Sequence, residues 1–314
     1  MPVLGLDLGG TKLAIALFSE SGELMSKDVF PLEYRSGIEV GKLITEAVSR
    51  FMQNSTSPVT SIGVSVPGIA RAKTGTVWAP NISGWEDYPL VTEISQVAGN
   101  IPVSIDSDRA CCMLGELWQG NARGCRDAIY LAVGTGIGAG ILMDGNILRG
   151  SHDIAGSVGW LALDKPFQNK YIACGCFEYY ASGDGIAKLA SELLAGDAVY
   201  KGVLKQYPPD KLTAHHVFEA YDAGDSLAIK VLGECIQYWG MAVANLISIF
   251  NPEKMIFGGG VFGPAIRFLD PIVNEARKWA QPISITQVSF EASGLHGDAA
   301  IYGAGSLALR KMKI

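Results

Sequence analysis

The chain has 314 residues, enough for roughly two domains at ~150 residues each, and 48% hydrophobic against 18% charged residues supplies material for sizeable cores. A formal net charge of −6, with Lys and Arg scattered, excludes nucleic acid as the main partner, because phosphate backbones are gripped by basic patches. The longest apolar stretches, near 241–250 and 130–143, fall short of the ~20 residues of a membrane span, so no membrane partner is expected.

Val3–Phe18 reads as strand, glycine turn, strand, and Leu24–Phe30 as a third strand after a Ser21-Gly22-Glu23 turn. Apolar positions 40, 43, 44, 47, 48 and 51 have helical spacing. Ile62–Val66 is a short buried strand ending at Pro67-Gly68. Thr76–Ala79 and Val103–Ile105 are further strands, and Leu90–Ala98 and Ala110–Gln119 are helices. After residues 120–124 the pattern restarts: Ala128–Val133 and Ala139–Met143 form a second strand–glycine turn–strand unit. Gly150–Cys176 is irregular. Helices are predicted over Ile186–Leu194, Ala214–Ala223, Ser226–Phe250, Ala265–Ala280 and Ala299–Arg310, with a strand at Met255–Phe257.

Strands alternating with helices predict an α/β fold, and the two similar beginnings at 3 and 128 predict two similar halves. The expected division is 1–115 with a returning helix in 299–314, and 116–298. A strand pattern that starts at Val3 without a basic n-region argues against a secretory leader. The six cysteines, at 111, 112, 125, 174, 176 and 235, lack the spacing of a disulfide framework. The expected compartment is the cytoplasm.

Three glycine elements carry the first chemical signal. In Asp7-Leu8-Gly9-Gly10-Thr11-Lys12, consecutive backbone N–H groups can form an anion nest, Asp7 can reach a Mg²⁺ ion and Thr11 can donate its hydroxyl to phosphate. The bland alternative is a glycine hairpin turn. Gly134-Thr135-Gly136-Ile137-Gly138-Ala139-Gly140 strips side chains from one face of a strand turn. Gly258-Gly259-Gly260 follows a hydrophobic strand. None of them is a P-loop or a GxGxxG fingerprint.

In order along the chain stand LDLGGTK at 6–12, PG at 67–68, WAPNISGW at 78–85, Asp106-Ser107-Asp108, LGE at 114–116, GTGIGAG at 134–140, GCFEYYASG at 175–183, GGG at 258–260 and GDAAIYGAG at 297–305. Together they resemble the ROK family of bacterial sugar kinases and related repressors, within the actin/hexokinase/Hsp70 group, over nearly the whole chain. The resemblance implies an actin-like ATPase (ribonuclease H-like) fold: two similar α/β domains with a cleft between them. It further implies that ATP phosphates lie on Gly9, Gly10, Thr11, Lys12, Gly134, Thr135 and Gly136, and that Gly258, Gly259 and Gly260 lie by the adenosine, with Asp7 toward Mg²⁺.

A sugar kinase needs a base beside the attacking hydroxyl and an aligned γ-phosphate, since phosphoryl transfer leaves little covalent work to the protein. The base is usually a carboxylate. The family pattern Glu-Asn-Asp aligns with Asp106-Ser107-Asp108, which makes Asp108 the base. The alternative is that Asp106 or Asp108 merely caps the helix that follows. By resemblance Gly68, Asn81, Ser107 and Glu178 face the sugar, against an Asx-turn for Asn81 and a solvated Glu for Glu178.

The departures carry equal information. Where the family has Glu-x-Gly-His, this chain has Ser157-Val158-Gly159-Trp160. Trp160 can stack on a sugar ring, can fill the volume of a lost zinc site, or can mark a pocket that no longer phosphorylates. The family's zinc motif is broken: Asn169 and Tyr171 stand where its first two cysteines fall, and only Gly175 and Cys176 match its end. No structural zinc is expected, since such a site wants four ligands.

The expectation is therefore an ATP- and Mg²⁺-dependent sugar kinase. Its acceptor is the 6-hydroxyl of a hexose, N-acetylhexosamine or glucoside, and the alternative is a catalytically inactive sugar- or nucleotide-binding homologue. A regulator would carry a helix-turn-helix ahead of the first glycine turn, for which a turn at Asp7 leaves no room. The Hsp70 or actin kind of ATPase lacks the WAPNISGW element. The resemblance also implies a homodimer. Of the tryptophans at 78, 85, 118, 239 and 279, most are expected in the core.

Overall fold

The computed structural model describes residues 1–311. In chain order the strands are β1 (Val3–Leu8), β2 (Lys12–Phe18), β3 (Leu24–Pro31), β4 (Ile62–Val66), β5 (Ile69–Arg71), β6 (Thr76–Trp78), β7 (Val103–Ser107), β8 (Ala128–Val133), β9 (Ile137–Met143), β10 (Asn146–Ile147), β11 (Lys254–Gly258) and β12 (Ser289–Ala292). The helices are α1 (Ile38–Asn54), α2 (Leu90–Ala98), α3 (Asp108–Gln119), α4 (Cys176–Ala181), α5 (Gly183–Gly196), α6 (Ala214–Asp222), α7 (Ser226–Phe250), α8 (Leu269–Trp279), α9 (Ser284–Gln287) and α10 (Ala299–Lys311). Short 3₁₀ turns cover Val158–Trp160, Asn169–Ile172 and Gly260–Phe262. Among the described residues no helix is long and apolar enough to cross a membrane.

The described chain forms two compact units. One takes residues 1–126, 140–156 and the chain from Ser293 onward; the other takes 127–139 and 157–292. The first contains a five-stranded sheet in the order β3-β2-β1-β4-β7. β1 runs antiparallel to β2 but parallel to β4, and β4 runs parallel to β7. β1, β4 and β7 are almost entirely buried, as expected of parallel strands covered on both faces. β3 is mostly exposed, with Lys27, Asp28 and a terminal Pro31, the composition of a protected edge. Helix α1 turns Val40, Ile44, Ala47, Val48 and Phe51 inward, the spacing of one helical face. This core also takes in Trp85, stacked on Tyr88 at 4.2 Å. Helix α10 packs on α3, β1 and β4.

The second sheet has the order β10-β9-β8-β11-β12, with β8, β11 and β12 parallel and β9 antiparallel to β10. Helix α7 packs on α4, α5, α6 and α8 and buries Val231, Leu232, Cys235, Trp239, Val243 and Ile247.

Two local expectations are corrected. The helix predicted over 265–280 is a 3₁₀ turn, Ala265–Phe268, followed by α8 from Leu269. Pro271 is the cause, because a proline lacks the N–H for the bond to residue 267 and is tolerated only in a first turn. The strand 103–105 extends through Ser107, so α3 begins at Asp108 rather than near Ala110. Of the five tryptophans, Trp85 and Trp239 are buried and Trp118 packs on Phe18, but Trp78 and Trp279 are exposed.

Candidate functional site

In an open α/β sheet the backbone beyond the carboxyl ends of parallel strands is where ligands are met, and both sheets obey this placement. In the first sheet the turn after β1 carries Asp7 to Lys12, the turn after β4 carries Pro67-Gly68, and β7 runs into Asp106, Ser107 and Asp108. These three strands are neighbours, and Asp7, Ser65 and Asp106 share one row of the parallel register.

Asp7 accepts a hydrogen bond from the Ser65 hydroxyl at 2.8 Å. Burial raises its pKa to about 6, with the Ser65 bond opposing and the negative charge of Asp108 adding to the rise. The two carboxylates thus lie within electrostatic reach of each other. The turn beyond Asp7 closes through Gly9 N–H to the Lys12 carbonyl at 2.9 Å, and leaves Gly10, Thr11 and Lys12 exposed. A side chain on Gly10 would lie 3.3 Å from Asn81 Nδ2, so the phosphate-side turn and the WAPNISGW segment are neighbours. The 79–85 turn is closed by backbone bonds, Ile82 N–H to Ala79 and Ala79 N–H to Trp85, and not by an Asx-turn of Asn81. Gly68 has φ +87°, and a Cβ there would fall 2.2 Å from the Trp78 carbonyl, so glycine is required.

Asp106 is buried. Its Oδ2 receives Arg149 Nε at 3.0 Å and Nη2 at 2.5 Å, and its Oδ1 takes the Ser107 N–H. That carboxylate is matched to an arginine fork. Ser107, also buried, is the N-cap of α3 and accepts from the Ala110 N–H. The expected cap on Asp106 or Asp108 thus belongs to the serine between them. Asp108 occupies the first helical position with its side chain accessible. Its Oδ1 accepts the Arg109 N–H at 2.7 Å. Surrounding protein raises its pKa, while the Arg109 cation and the backbone bonds pull it down.

The second sheet presents a different edge. β8 runs into Gly134-Thr135-Gly136, and the adjacent parallel β11 runs into Gly258-Gly259-Gly260. Gly134 N–H bonds the Gly136 carbonyl at 2.9 Å, and the Gly183 N–H bonds the Gly134 carbonyl at 2.7 Å, which ties the turn to the start of α5. Gly259 has φ 87° and ψ 167°, and a Cβ there would meet the Val133 carbonyl at 2.4 Å. Glu178, on α4, joins this edge: its Oε2 accepts the Ile137 N–H at 2.6 Å. Burial raises its pKa and that bond lowers it.

Ser157 and Trp160 bracket the 3₁₀ turn Val158–Trp160, and Gly159 packs against Glu178 and the Ile137 carbonyl. Trp160 is 57% exposed, so it does not fill the volume of a lost metal site. Tyr171 stands where the resemblance would place one of the family's zinc cysteines. Tyr171, 4% exposed, hydrogen-bonds the Tyr180 hydroxyl at 2.9 Å and Asp164 at 3.2 Å, and Tyr180 stacks on Tyr238. Among the described residues no group of three or more His, Cys, Asp or Glu is arranged to hold a metal ion. Asp7 could hold a divalent cation through its single carboxylate, and such a cation would relieve the repulsion from Asp108.

A family model described as the ROK family matches residues 3–311. The chain belongs to the ROK family. It is 32% identical to a glucokinase of Halalkalibacterium halodurans over 97% of this chain and 94% of that one. It is also 31% identical to a xylose repressor of Caldicellulosiruptor bescii, over 99% of this chain and 78% of that protein. The structure of a ROK glucokinase from Streptomyces griseus, in complex with glucose and AMPPNP, superposes with a TM-score of 0.80 at 28% identity, covering 99% of this chain and 100% of that one. The fold is the actin-like ATPase fold of these ROK kinases.

Three residues of this ROK protein's site escaped the sequence: Ser65, Arg109 and Arg149. Ser65 left a signal, as the polar residue in the apolar strand Ile62–Val66. Arg109 and Arg149 left none, since their partners lie 41 to 46 residues away.

Proposed function

We propose that this protein is an ATP-dependent sugar kinase that transfers the γ-phosphate to a sugar hydroxyl, the 6-hydroxyl of a hexose, N-acetylhexosamine or glucoside. The observation that carries the proposal is the placement of Asp7 on β1 and Asp108 directly after β7, at one edge of one sheet, with the Asp108 charge adding to the raised pKa of Asp7. Asp108, accessible and fixed by the Arg109 N–H, accepts the proton of the attacking hydroxyl. Its raised pKa brings it nearer to that task at neutral pH. Asp7 would hold the Mg²⁺ that accompanies ATP, and that ion would supply charge neutralisation to the phosphates.

The turn Gly9–Lys12 and the second turn Gly134–Gly136 present backbone N–H groups to the phosphates, with the Thr11 and Thr135 hydroxyls and the Lys12 ammonium beside them. Gly258, Gly259 and Gly260 leave a side-chain-free surface for the adenosine. Gly68 and Asn81 line the sugar. Ser107, Ser157, Trp160 and Glu178 are assigned to sugar binding by resemblance, and the Trp160 ring is accessible for stacking. With Glu178 already bonded to Ile137, its remaining acceptor sites are those left for a sugar hydroxyl. The glucokinase relative supports a hexose, and the Ser157 and Trp160 departures mean that glucose itself is one member of the set to be tried. Action as a homodimer in the cytoplasm completes the proposal.

The test is ADP release from Mg-ATP against free hexoses, N-acetylhexosamines and disaccharides, with Asp108→Asn alongside. Sugar-dependent turnover that disappears in the variant is the expected result and names the acceptor. No turnover on any sugar, with ATP still bound, overturns the kinase assignment in favour of an inactive binding homologue.

A further inference from the structure

Arg109 follows Asp108 on α3, and its half-buried side chain leaves the helix to reach two other segments of the same unit. Its Nε donates to the Ala155 carbonyl at 3.1 Å and its Nη1 donates to the Gly68 carbonyl at 3.2 Å. Both acceptors belong to irregular backbone. Gly68 is the left-handed residue in the turn that leaves β4, and Ala155 closes the 149–156 segment, one residue before Gly156-Ser157. The same segment begins at Arg149, whose guanidinium holds Asp106 on the strand that leads to Asp108. Two arginines therefore bind this segment to the β7–α3 junction, one at each end.

We propose that Arg109 is a positioning residue that fixes the backbone of the Gly68 turn and of the 149–156 segment to the helix bearing Asp108, and so sets the sugar's hydroxyl against the base. The proposal rests on the assignment above of Asp108 as base and Gly68 as sugar-lining. A planar guanidinium suits this task because its N–H groups diverge at fixed angles toward two acceptors, whereas an ammonium is a point charge on a flexible stem. An unbraced Gly68 turn would drift relative to Asp108, and misplacement by about 1 Å can cost on the order of 10²-fold in rate. The nucleotide side is built from Gly9–Lys12 and the second sheet's glycines, none of which bonds Arg109, so its affinity is not at stake.

Two variants and two readouts test this. Arg109→Ala removes the charge and the fork, and Arg109→Lys keeps a charge beside Asp108 but loses the fork. Hydrogen–deuterium exchange on the free protein should quicken in 66–70 and 150–157 in both variants, with α1 and α7 unchanged. Steady-state kinetics on the acceptor found in the panel should show kcat/KM for sugar falling on the order of 10²-fold in both, with KM for ATP within about twofold. Unchanged exchange in the two segments overturns the proposal whatever the turnover. Faster exchange without loss of kcat/KM for sugar overturns it too, as does restoration of both readouts by lysine. If Arg109→Ala fails to fold, Arg109→Lys alone carries the test. A wild-type chain that turns over no sugar defeats the kinase assignment and not the brace, because the exchange arm needs no substrate and decides the brace by itself.

Discussion

The two sheets offer their carboxyl edges to ligand in opposite chemical styles. The first edge is acidic, with Asp7, Asp106 and Asp108 at the ends of β1 and β7. Each of the three is controlled by a different device: a serine hydroxyl on Asp7, an arginine fork on Asp106, a helix N-terminus and a neighbouring cation on Asp108. The second edge is nearly free of side chains, with Gly134-Thr135-Gly136 and Gly258-Gly259-Gly260 at the ends of β8 and β11, and the Glu178 carboxylate beside it is turned onto the Ile137 N–H. The carboxylates gather on the first sheet, which also carries the Gly9–Lys12 turn, while the second sheet's edge is built mainly of glycine turns. Proton transfer calls for tuned carboxylates, whereas recognition of phosphates calls for N–H groups and the absence of Cβ atoms.

The largest expected effect breaks the acidic edge. Asp108→Asn should lower kcat on the order of 10²–10⁴-fold, with ATP affinity retained. Loss of ATP binding of equal size would move Asp108 from proton transfer to nucleotide binding.

Next comes the glycine edge. Gly259→Ala places a Cβ against the Val133 carbonyl in a conformation that only glycine adopts readily. It should destabilise the protein by about 1–3 kcal/mol and raise KM for ATP more than KM for sugar. A thermal melt and a two-substrate kinetic grid separate these, and a selective rise in sugar KM would reverse the assignment of the two edges.

A third measurement sharpens the contrast through pH. Folded Asp7 holds its proton up to about pH 6, and the unfolded residue only to 3.8. The folded state therefore binds the extra proton between these values, and Asp7 subtracts stability progressively as pH rises through that window. Asp7→Asn should raise Tm at pH 7 and leave it nearly unchanged below about pH 3.8, where both forms of the carboxyl are protonated. In the same frame kcat/KM should fall as pH drops through about 6, the value at which Asp7 loses its charge. Asp108→Asn removes a repelling charge, so the Asp7 titration, followed by NMR, should move downward.

The smallest effect is on Trp160. Because the ring is 57% exposed, Trp160→Ala should change stability by no more than ~0.5 kcal/mol, while KM for sugar rises. A large drop in Tm would return the residue to a packing role.

The legibility of the site followed the same division. The glycine turns could be located directly, since each lies at the end of a hydrophobic strand, and parallel strands buried on both faces write themselves as apolar runs. The Pro67-Gly68 and Asp106–Asp108 positions were also legible, because turn chemistry and strand ends are local. The helix predicted over 265–280 failed at a local feature as well, Pro271, whose missing N–H was present in the sequence to be counted.

What the sequence by itself determined is the alternation of strands and helices, the glycine turns and the two similar beginnings, because each arises from neighbours along the chain. Only the tertiary structure decided that Ser107 rather than an aspartate caps α3, that Asp106 belongs to Arg149, that Trp160 stands exposed and Tyr171 buried, and that Arg109 braces two distant turns. Hydrogen bonds between residues tens of positions apart depend on which backbone the fold brings into reach, and composition and period carry no record of it.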